Sequence, residues 1–217
     1  ILRAAEVTLS RNIPLLGINM GHVGFMAEVN RPTISAIAEC IIGSNYVTEN
    51  RMVLRFAVER DGKEIGTGWA LNEVTVERDG TTMVELFVQI DNRPLSRWGC
   101  DGLICSTPTG STAYAFSAGG PVLWPEIDAL VLLPISAHAL FSRPMVVSPK
   151  SEIIVDIESS DALLSSDSLR KFPLQLGDRI LITRDSSVIK LSHIKPTLFT
   201  DRLVAKFKLP VEGWRGE

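Results

Sequence analysis

The segment from residue 101 to residue 121 carries the densest set of side chains that could do chemistry. A short apolar stretch leads into a turn rich in glycine and hydroxyl residues, and helix-compatible residues follow. Glycines let a backbone approach a ligand closely, amides at a helix start attract phosphate, and Ser or Thr hydroxyls bind ribose and phosphate oxygens. The composition fits a nucleotide-binding turn, and it fits equally a polar turn whose hydroxyls only cap the following helix.

Standard motif definitions do not describe this segment. It contains no lysine, so it is not the GxxxxGK[ST] phosphate loop, and it has no GxSxG nucleophile elbow. A second glycine-rich stretch, residues 17–25, follows a predicted strand, but its glycines at 17, 21 and 24 do not have the GxGxxG spacing. A tight strand-to-helix connection explains that stretch as well as a ligand site does.

Asn72 and Glu73 place an amide and a carboxylate at consecutive positions of a predicted strand. Strand alternation would point the two side chains to opposite faces, unless the strand ends there. One of them could then meet a ligand, although an exposed glutamate on a sheet is commonplace.

These residues need a scaffold, and the hydrophobic spacing predicts one of mixed type. Helical spacing covers residues 1–9 and 34–42, with a short buried strand at 13–19 between them. Alternating strands dominate from residue 46, with a hairpin turn at Asp61-Gly62, and helical spacing returns at 201–207. Further strands are predicted at residues 54–59, 70–76, 84–90, 152–157 and 179–183.

Composition narrows the functional class. The 217 residues are 45% hydrophobic and 22% charged, as in soluble globular proteins. A net charge of −3 with dispersed basic residues argues against nucleic acid and membrane-surface partners. Neither a membrane-spanning run nor a signal peptide is visible, so a cytoplasmic location is expected. Cys40, Cys100 and Cys105 lack zinc-ligand spacing and are interpreted as reduced thiols packed as small hydrophobes.

Taken in order, these segments resemble the bacterial-type NAD kinases. That family has a glycine-glycine-aspartate-glycine-threonine motif directly before a pair like Ile1-Leu2, which Arg3 follows here. Counterparts of residues 17–25, of Asn72-Glu73 and of residues 101–121 come next, and the last of these is the strongest signature. The resemblance continues through residues 138–144 to residues 199–203, so it covers nearly the whole chain.

The resemblance implies an α/β plus β fold. Residues 1–45 would be the C-terminal part of a Rossmann-like domain, 46–190 a β-rich, sandwich-like NAD-binding domain, and 191–217 a segment packing back on the first domain. The expected reaction transfers a phosphoryl group from ATP, or polyphosphate, to the 2′-hydroxyl of the adenosine ribose of NAD. A divalent cation, Mg²⁺, is expected with ATP, and a homodimer or homotetramer as the assembly.

Site residues follow only from that resemblance. Asn72 and Glu73 would contact the adenosine part of NAD. Asp101 would contact the ribose or nicotinamide side, and the nucleotide that it contacts could be one held mainly by a neighbouring subunit. Arg3 would meet a phosphate, with a helix-surface arginine as the alternative. The residues expected to line the nucleotide site are Thr112, Ala113, Tyr114 and Ser117.

No residue of the chain is assigned as the catalytic base or as a metal ligand, because the catalytic aspartate of the family is expected upstream of Ile1. His22 and His138 match family positions, and we interpret both as packed or solvent-facing.

Two departures from the family and two other functions stay open. Residues 165–170 stand where the family has an aspartate-glycine turn, and Gly99 stands where some relatives have a basic residue, so ligand contacts are not transferred there. A non-catalytic NAD-binding module is the second hypothesis. A related lipid kinase is the third, since those enzymes share the upstream motif.

Overall fold

The computed structural model describes residues 1–20, 24–27, 32–159, 162–196 and 198–212. The chain forms two compact units, one of residues 1–51 with the chain from residue 188 onward, the other of residues 52–187. The boundaries predicted near residues 45 and 190 lie close to these. Among the described residues, no helix is long and apolar enough to cross a membrane.

In its described residues, the first unit has three helices and a short parallel strand pair. Thr33 begins the second helix, because its hydroxyl accepts a hydrogen bond from the Ala36 amide at 3.2 Å. The strand predicted at 13–19 is only two residues long and pairs in parallel with residues 191–192. These elements are α1 (Leu2–Leu9), β1 (Leu15–Leu16), α2 (Ile34–Ile42) and α4 (Phe199–Phe207).

A buried arginine on α4 links this helix to the end of the second glycine-rich stretch and to the residues just after it. Arg202 donates to the carbonyls of Phe25 and Ala27, both at 2.9 Å, and to His193 Nδ1 at 3.0 Å. Since a guanidinium only donates, Nδ1 accepts and the Nε2–H of His193 donates to Glu49 at 2.7 Å. The 199–203 segment of the family resemblance therefore has a structural role in the first unit.

The second unit is a sandwich of two sheets, mostly antiparallel. The elements are β2 (Val47–Arg60), β3 (Lys63–Ala70), β4 (Glu73–Arg78), β5 (Val84–Ile90), β6 (Arg93–Cys100), β7 (Gly102–Ser106), α3 (Tyr114–Ser117), β8 (Leu130–Ile135), β9 (Met145–Val147), β10 (Ile153–Ile157), β11 (Ala162–Ser166), β12 (Arg170–Leu174) and β13 (Arg179–His193). One sheet has the order β3-β2-β13-β10-β5-β6, and the other β12-β11-β4-β7-β8-β9. The β-rich fold class is confirmed.

Strands β7 and β8 are buried on both faces, which explains their uninterrupted apolar sequence. Leu103 and Leu132 point into the core between the sheets. Ile104 and Leu133 point the other way, into a second cluster with Ala115 of α3. The outer face of this sheet is thereby covered by the glycine-rich turn and the short helix after it.

The sequence prediction was wrong at two places that matter for the site. The strand predicted at 70–76 is interrupted, since β3 ends at Ala70 and β4 begins at Glu73. The helix expected after the glycine-rich turn is only a 3-10 turn, Gly110–Thr112, and the four residues of α3. At the first place, side-chain hydrogen bonds from Thr107 and Asp167 hold the backbone out of regular strand structure.

A buried carboxylate in the turn before β13 gives a first stability prediction. Asp178 is fully buried and accepts hydrogen bonds from Arg60 at 2.7 and 2.8 Å and from the Gln175 amide at 2.8 Å. The hydrogen bonds of Arg60 lower the pKa of Asp178. Because Arg60 is partly exposed, we expect Asp178→Asn to reduce the free energy of unfolding by about 2 kcal/mol at neutral pH.

The sign of the pH dependence follows from the lowered pKa. A carboxylate with a lowered folded-state pKa stabilises the protein above its ordinary pKa of 3.8, and this contribution is lost as the pH falls through the folded-state value. Urea unfolding across the acid range checks this, and a deficit of the variant that does not shrink at low pH would contradict it.

Candidate functional site

The centre of the site is the two-residue connection between β3 and β4. On one side, the turn after β7 satisfies its carbonyls: the Thr107 hydroxyl donates to the Leu71 carbonyl at 2.6 Å, and the Thr107 amide to the Asn72 carbonyl at 2.9 Å. The Ser106 hydroxyl also donates to the Asn72 carbonyl, at 3.2 Å. Buried backbone groups need such partners, so these hydroxyls stabilise the interruption of the strand.

On the other side, the turn between β11 and β12 satisfies the amides of the same connection. Both Asp167 carboxylate oxygens accept, one from the Leu71 amide at 2.9 Å and the other from the Asn72 amide at 2.7 Å. The Asp167 amide donates to the Glu73 carbonyl at 3.0 Å. Two turns distant in sequence therefore fix the backbone of Leu71 and Asn72.

The side chains of Asn72 and Glu73 are buried and incompletely paired. Their exposed fractions are 7% and 3%. Asn72 Oδ1 and Glu73 Oε2 have no hydrogen-bond partner among the residues that the structure describes. An unsatisfied buried oxygen costs about 1–3 kcal/mol, so two on neighbouring residues indicate acceptors kept for a ligand that donates hydrogen bonds.

The Glu73 carboxylate has an unusual proton affinity. Burial raises the pKa of Glu73 to about 7, the negative charge of Asp167 contributes in the same direction, and the Tyr114 amide opposes it by donating to the carboxylate. Near neutral pH this group therefore exists in both protonation states.

This pKa gives a prediction for Glu73→Gln. The folded-state pKa lies above the ordinary value of 4.5, so the folded protein binds more protons and loses stability as the pH rises between the two values. Gln is neutral at all pH values, and we expect the variant to be more stable than the wild type by about 2 kcal/mol at about pH 8.

The measurement is urea unfolding over the same pH range. The advantage of Glu73→Gln should vanish at about pH 4.5. Glu85→Gln, at an exposed carboxylate of the same unit, serves as the control and should show no such trend. A constant difference between Glu73→Gln and the wild type at all pH values would contradict the prediction.

Tyr114 connects this pair of side chains to an open cleft of about 380 Å³. The cleft is lined by Glu77, Arg78, Gly80, Asp101, Tyr114 and Ile135. The Tyr114 hydroxyl lies 3.4 Å from Glu77 Oε2, and Glu77 Oε1 accepts from the Thr75 hydroxyl at 2.6 Å. Glu77 thus orients the half-buried tyrosine ring at the wall of the cleft.

Asp101 is the single residue between β6 and β7, and it also lines the cleft. Its side chain is 41% exposed, and its Oδ1 is 2.8 Å from Arg78 Nε. The Asp101 amide donates to the Ile135 carbonyl at 2.9 Å, and its carbonyl accepts from the Arg78 amide at 3.0 Å. The backbone is therefore fixed, while the carboxylate can reach a ligand by exchanging its exposed arginine partner.

The glycine-rich turn does not present a row of free amides. Gly110 N donates to the Thr107 hydroxyl, Ser111 N to the Thr107 carbonyl and Ala113 N to the Gly110 carbonyl. Protein acceptors already occupy these three amides, so they are not available to a phosphate. The turn instead supports Asn72, and a Cβ added to Gly110 would lie 2.1 Å from the Asn72 carbonyl oxygen.

The other residues expected at the site lie at different places. Thr112 and Ala113 are half-buried beside Tyr114, and Ser117 is exposed at the end of α3. Arg3 is exposed on α1, in the first unit. Their roles stay predictions.

The two histidines were interpreted as packed or solvent-facing. His138 is exposed, and its amide donates to the Gly99 carbonyl. His22 and its neighbours in the second glycine-rich stretch, residues 21–23, lie outside the described residues.

Sequence reasoning missed three residues of the site. Glu77 could have been found, because it follows Glu73 at twice the two-residue strand period and so faces the same side of β4. Arg78 and Asp167 had no local signal, since each acts through a partner distant in sequence.

Metal and thiol chemistry find no support in the described part of the chain. No cluster of three or more His, Cys, Asp or Glu side chains there could hold a metal ion. Burial raises the pKa of Cys100 to about 11 and that of Cys105 to about 12. All three cysteines are free and buried, as small hydrophobes would be.

Comparison with known families decides the classification. Residues 71–194 match the ATP-NAD kinase C-terminal domain, and residues 1–46 match the ATP-NAD kinase N-terminal domain. The chain belongs to the NAD kinase family. The resemblance stated from its motifs is confirmed, and Asn72, Glu73 and the whole 101–121 segment lie inside the C-terminal match.

Relatives support the same classification along the whole chain. The NAD kinase of Thermobifida fusca is 47% identical over 223 residues, covering 100% of this chain and 68% of that protein. The NAD kinase of Mycobacterium bovis is also 47% identical, over 219 residues, covering 100% of this chain and 71% of that protein.

Two solved structures of NAD kinase relatives have a similar fold. The yeast NADH kinase complexed with NADH superimposes with a TM-score of 0.81 at 28% identity, covering 90% of this chain and 58% of that one. An Archaeoglobus fulgidus NAD kinase in complex with ATP gives a TM-score of 0.72 at 26% identity, covering 90% and 74%.

Proposed function

We propose that the protein acts as an NAD kinase, transferring a phosphoryl group from ATP to the 2′-hydroxyl of the adenosine ribose of NAD to give NADP. The observation that carries the proposal is the pair of buried, unpaired acceptors, Asn72 Oδ1 and Glu73 Oε2, in a member of this family. Adenosine offers donors for both, its ribose hydroxyls and its amino group. The solved NADH complex of the yeast relative adds support for a nicotinamide nucleotide.

The roles that we propose for the remaining residues come from the family resemblance. Tyr114, whose ring is held by Glu77, packs against the purine, and Thr112, Ala113 and Ser117 line the same nucleotide. Asp101 releases Arg78 and binds a ribose hydroxyl or the nicotinamide amide of NAD. The protein is a homodimer or homotetramer, and the nucleotide that Asp101 contacts can be one that a neighbouring subunit mainly holds. Arg3 meets a phosphate.

Phosphoryl transfer needs little covalent chemistry from a protein, and positioning with charge stabilisation supplies most of the catalysis. Asn72 and Glu73 hold the adenosine so that its 2′-hydroxyl has one orientation. No base among the described residues is assigned, and the family aspartate upstream of Ile1 is proposed to take the hydroxyl proton.

The donor and the cellular setting complete the proposal. ATP is the proposed donor, as in the ATP complex of the archaeal relative, with polyphosphate as the second candidate. Mg²⁺ would accompany ATP to neutralise its phosphates. The enzyme would work in the cytoplasm.

The test uses the product of the complete gene with NAD and Mg-ATP, and an NADP-specific dehydrogenase detects the product. Formation of NADP is the expected result. A protein that binds NAD by calorimetry but forms no NADP would be the non-catalytic module. A protein that phosphorylates diacylglycerol and not NAD would be the lipid kinase.

A further inference from the structure

We propose that Asp167, held in place by Arg170, is a positioning residue for NAD, because it fixes the backbone that presents the unpaired oxygens of Asn72 and Glu73. The inference rests on the proposed function and extends it to a turn for which the sequence offered no role. Asp167 acts through its two neighbours and does not itself contact the nucleotide.

The geometry of Asp167 leaves its carboxylate no free oxygen. One oxygen accepts from the Asn72 amide at 2.7 Å, and the other accepts from the Leu71 amide and from Arg170, both at 2.9 Å. Only 3% of the residue is exposed. Acceptance at both oxygens, one of them from a guanidinium, favours the ionised form and opposes burial, which raises the pKa of Asp167.

Arg170 ties this carboxylate to the strand that leads into the site. Its guanidinium donates to the Trp69 carbonyl and the Ser166 hydroxyl, both at 2.9 Å, and lies 4.2 Å from the centre of the Trp69 ring. Trp69 belongs to β3, three residues before Asn72. The arginine therefore holds Asp167 against the same connection whose amides the carboxylate accepts.

Asp167 also acts on Glu73 through its charge. Burial is the largest cause of the raised pKa of Glu73, the negative charges of Asp167 and Glu77 add to it, and the Tyr114 amide opposes them. Removing the charge of Asp167 should lower the pKa of Glu73. The corresponding change at a buried aspartate that does not act on Glu73 should leave that pKa where it is.

The unit contains a matched control for this substitution. Asp178 is also buried and also paired with an arginine, through two nitrogens where Arg170 uses one, and it accepts one backbone amide where Asp167 accepts two. Its contacts are to Arg60 and Gln175, and none of these reaches Asn72 or Glu73. Asp178→Asn should therefore reproduce the loss of stability without the effect on NAD.

The experiment compares the wild type, Asp167→Asn and Asp178→Asn in the complete protein. Asn is tolerated at the left-handed backbone angle of Asp167, where φ is 53°. We expect the KM for NAD of Asp167→Asn to rise about tenfold to a hundredfold, the effect of losing charge-assisted hydrogen bonds, with a smaller change in kcat.

The second readout is the pH dependence of the KM for NAD. In the wild type, affinity should rise through about pH 7 as Glu73 ionises and becomes a better acceptor. In Asp167→Asn this transition should move to lower pH, and in Asp178→Asn it should stay in place.

The possible outcomes separate this inference from the proposed function. If the wild type forms no NADP, the proposed function fails first. If the wild type is active and Asp167→Asn matches Asp178→Asn in both KM and pH profile, the positioning role is overturned. If Asp167→Asn does not fold, Arg170→Gln, which keeps the carboxylate but removes its anchor, should still raise the KM for NAD, and an unchanged KM would overturn the inference.

Discussion

Gly110→Ala should abolish tight NAD binding, although the substituted residue itself need not touch NAD. A Cβ at this position would lie 2.1 Å from the Asn72 carbonyl oxygen and 2.5 Å from the Ser106 hydroxyl oxygen. Both neighbours are held by other hydrogen bonds, so the β3–β4 connection has to move. We expect a loss of about 3 kcal/mol in stability. A displacement near 1 Å would weaken NAD affinity about a hundredfold.

Calorimetric titration with NAD and urea unfolding measure the two effects on the complete protein. Gly99→Ala is the control, since its Cβ would meet only Met83 side-chain atoms at ordinary distances of 3.7 and 3.9 Å. The control should bind NAD like the wild type. Wild-type affinity in a stably folded Gly110→Ala protein would refute the close packing of this turn beneath Asn72.

Asn72→Leu should change binding and stability in opposite directions. Leu has nearly the shape of Asn and removes a buried oxygen that has no partner among the described residues, so the free protein should gain about 1 kcal/mol. The same change removes an acceptor for adenosine and leaves a donor of NAD unpaired. We expect NAD affinity to fall about a hundredfold.

Gln89→Leu is the matched control for this substitution. The Gln89 amide already donates to Asp156 at 2.9 Å, so its removal should lower stability and leave NAD affinity unchanged. In urea unfolding, Asn72→Leu should therefore be more stable than the wild type and Gln89→Leu less stable. In calorimetry, only Asn72→Leu should bind NAD more weakly. Loss of stability in Asn72→Leu without loss of affinity would show that Asn72 serves the fold and not the ligand.

The predictions for Asn72→Leu and Glu73→Gln have the same physical basis, which is a buried polar group that destabilises the free protein. The folded protein keeps Asn72 Oδ1 unpaired and the Glu73 carboxylate at a raised pKa, and both features destabilise the free protein. Binding sites retain such groups because the ligand provides the missing donors, which is why stability and binding change in opposite directions.

The sequence by itself determined the family, the fold class and the position of most elements. Sequence patterns predicted the elements whose structure depends on neighbouring residues. Helical spacing located α1 and α2, and Asp61 and Gly62 adopt the left-handed angles of the predicted hairpin turn. The 101–121 segment and the Asn72-Glu73 pair were assigned to a nucleotide site through the family resemblance, since their residue types alone fit a capping turn and an ordinary strand equally well.

Only the tertiary structure decided how the site is held. The strand predicted across 70–76 is interrupted because Thr107 and Asp167, distant in sequence, satisfy the backbone groups of Leu71 and Asn72. Alternation alone therefore gave the wrong geometry for Asn72 and Glu73. A side chain that bonds to a distant backbone leaves no periodic trace in the sequence, and for this reason Asp167 emerged only once the two turns were seen together.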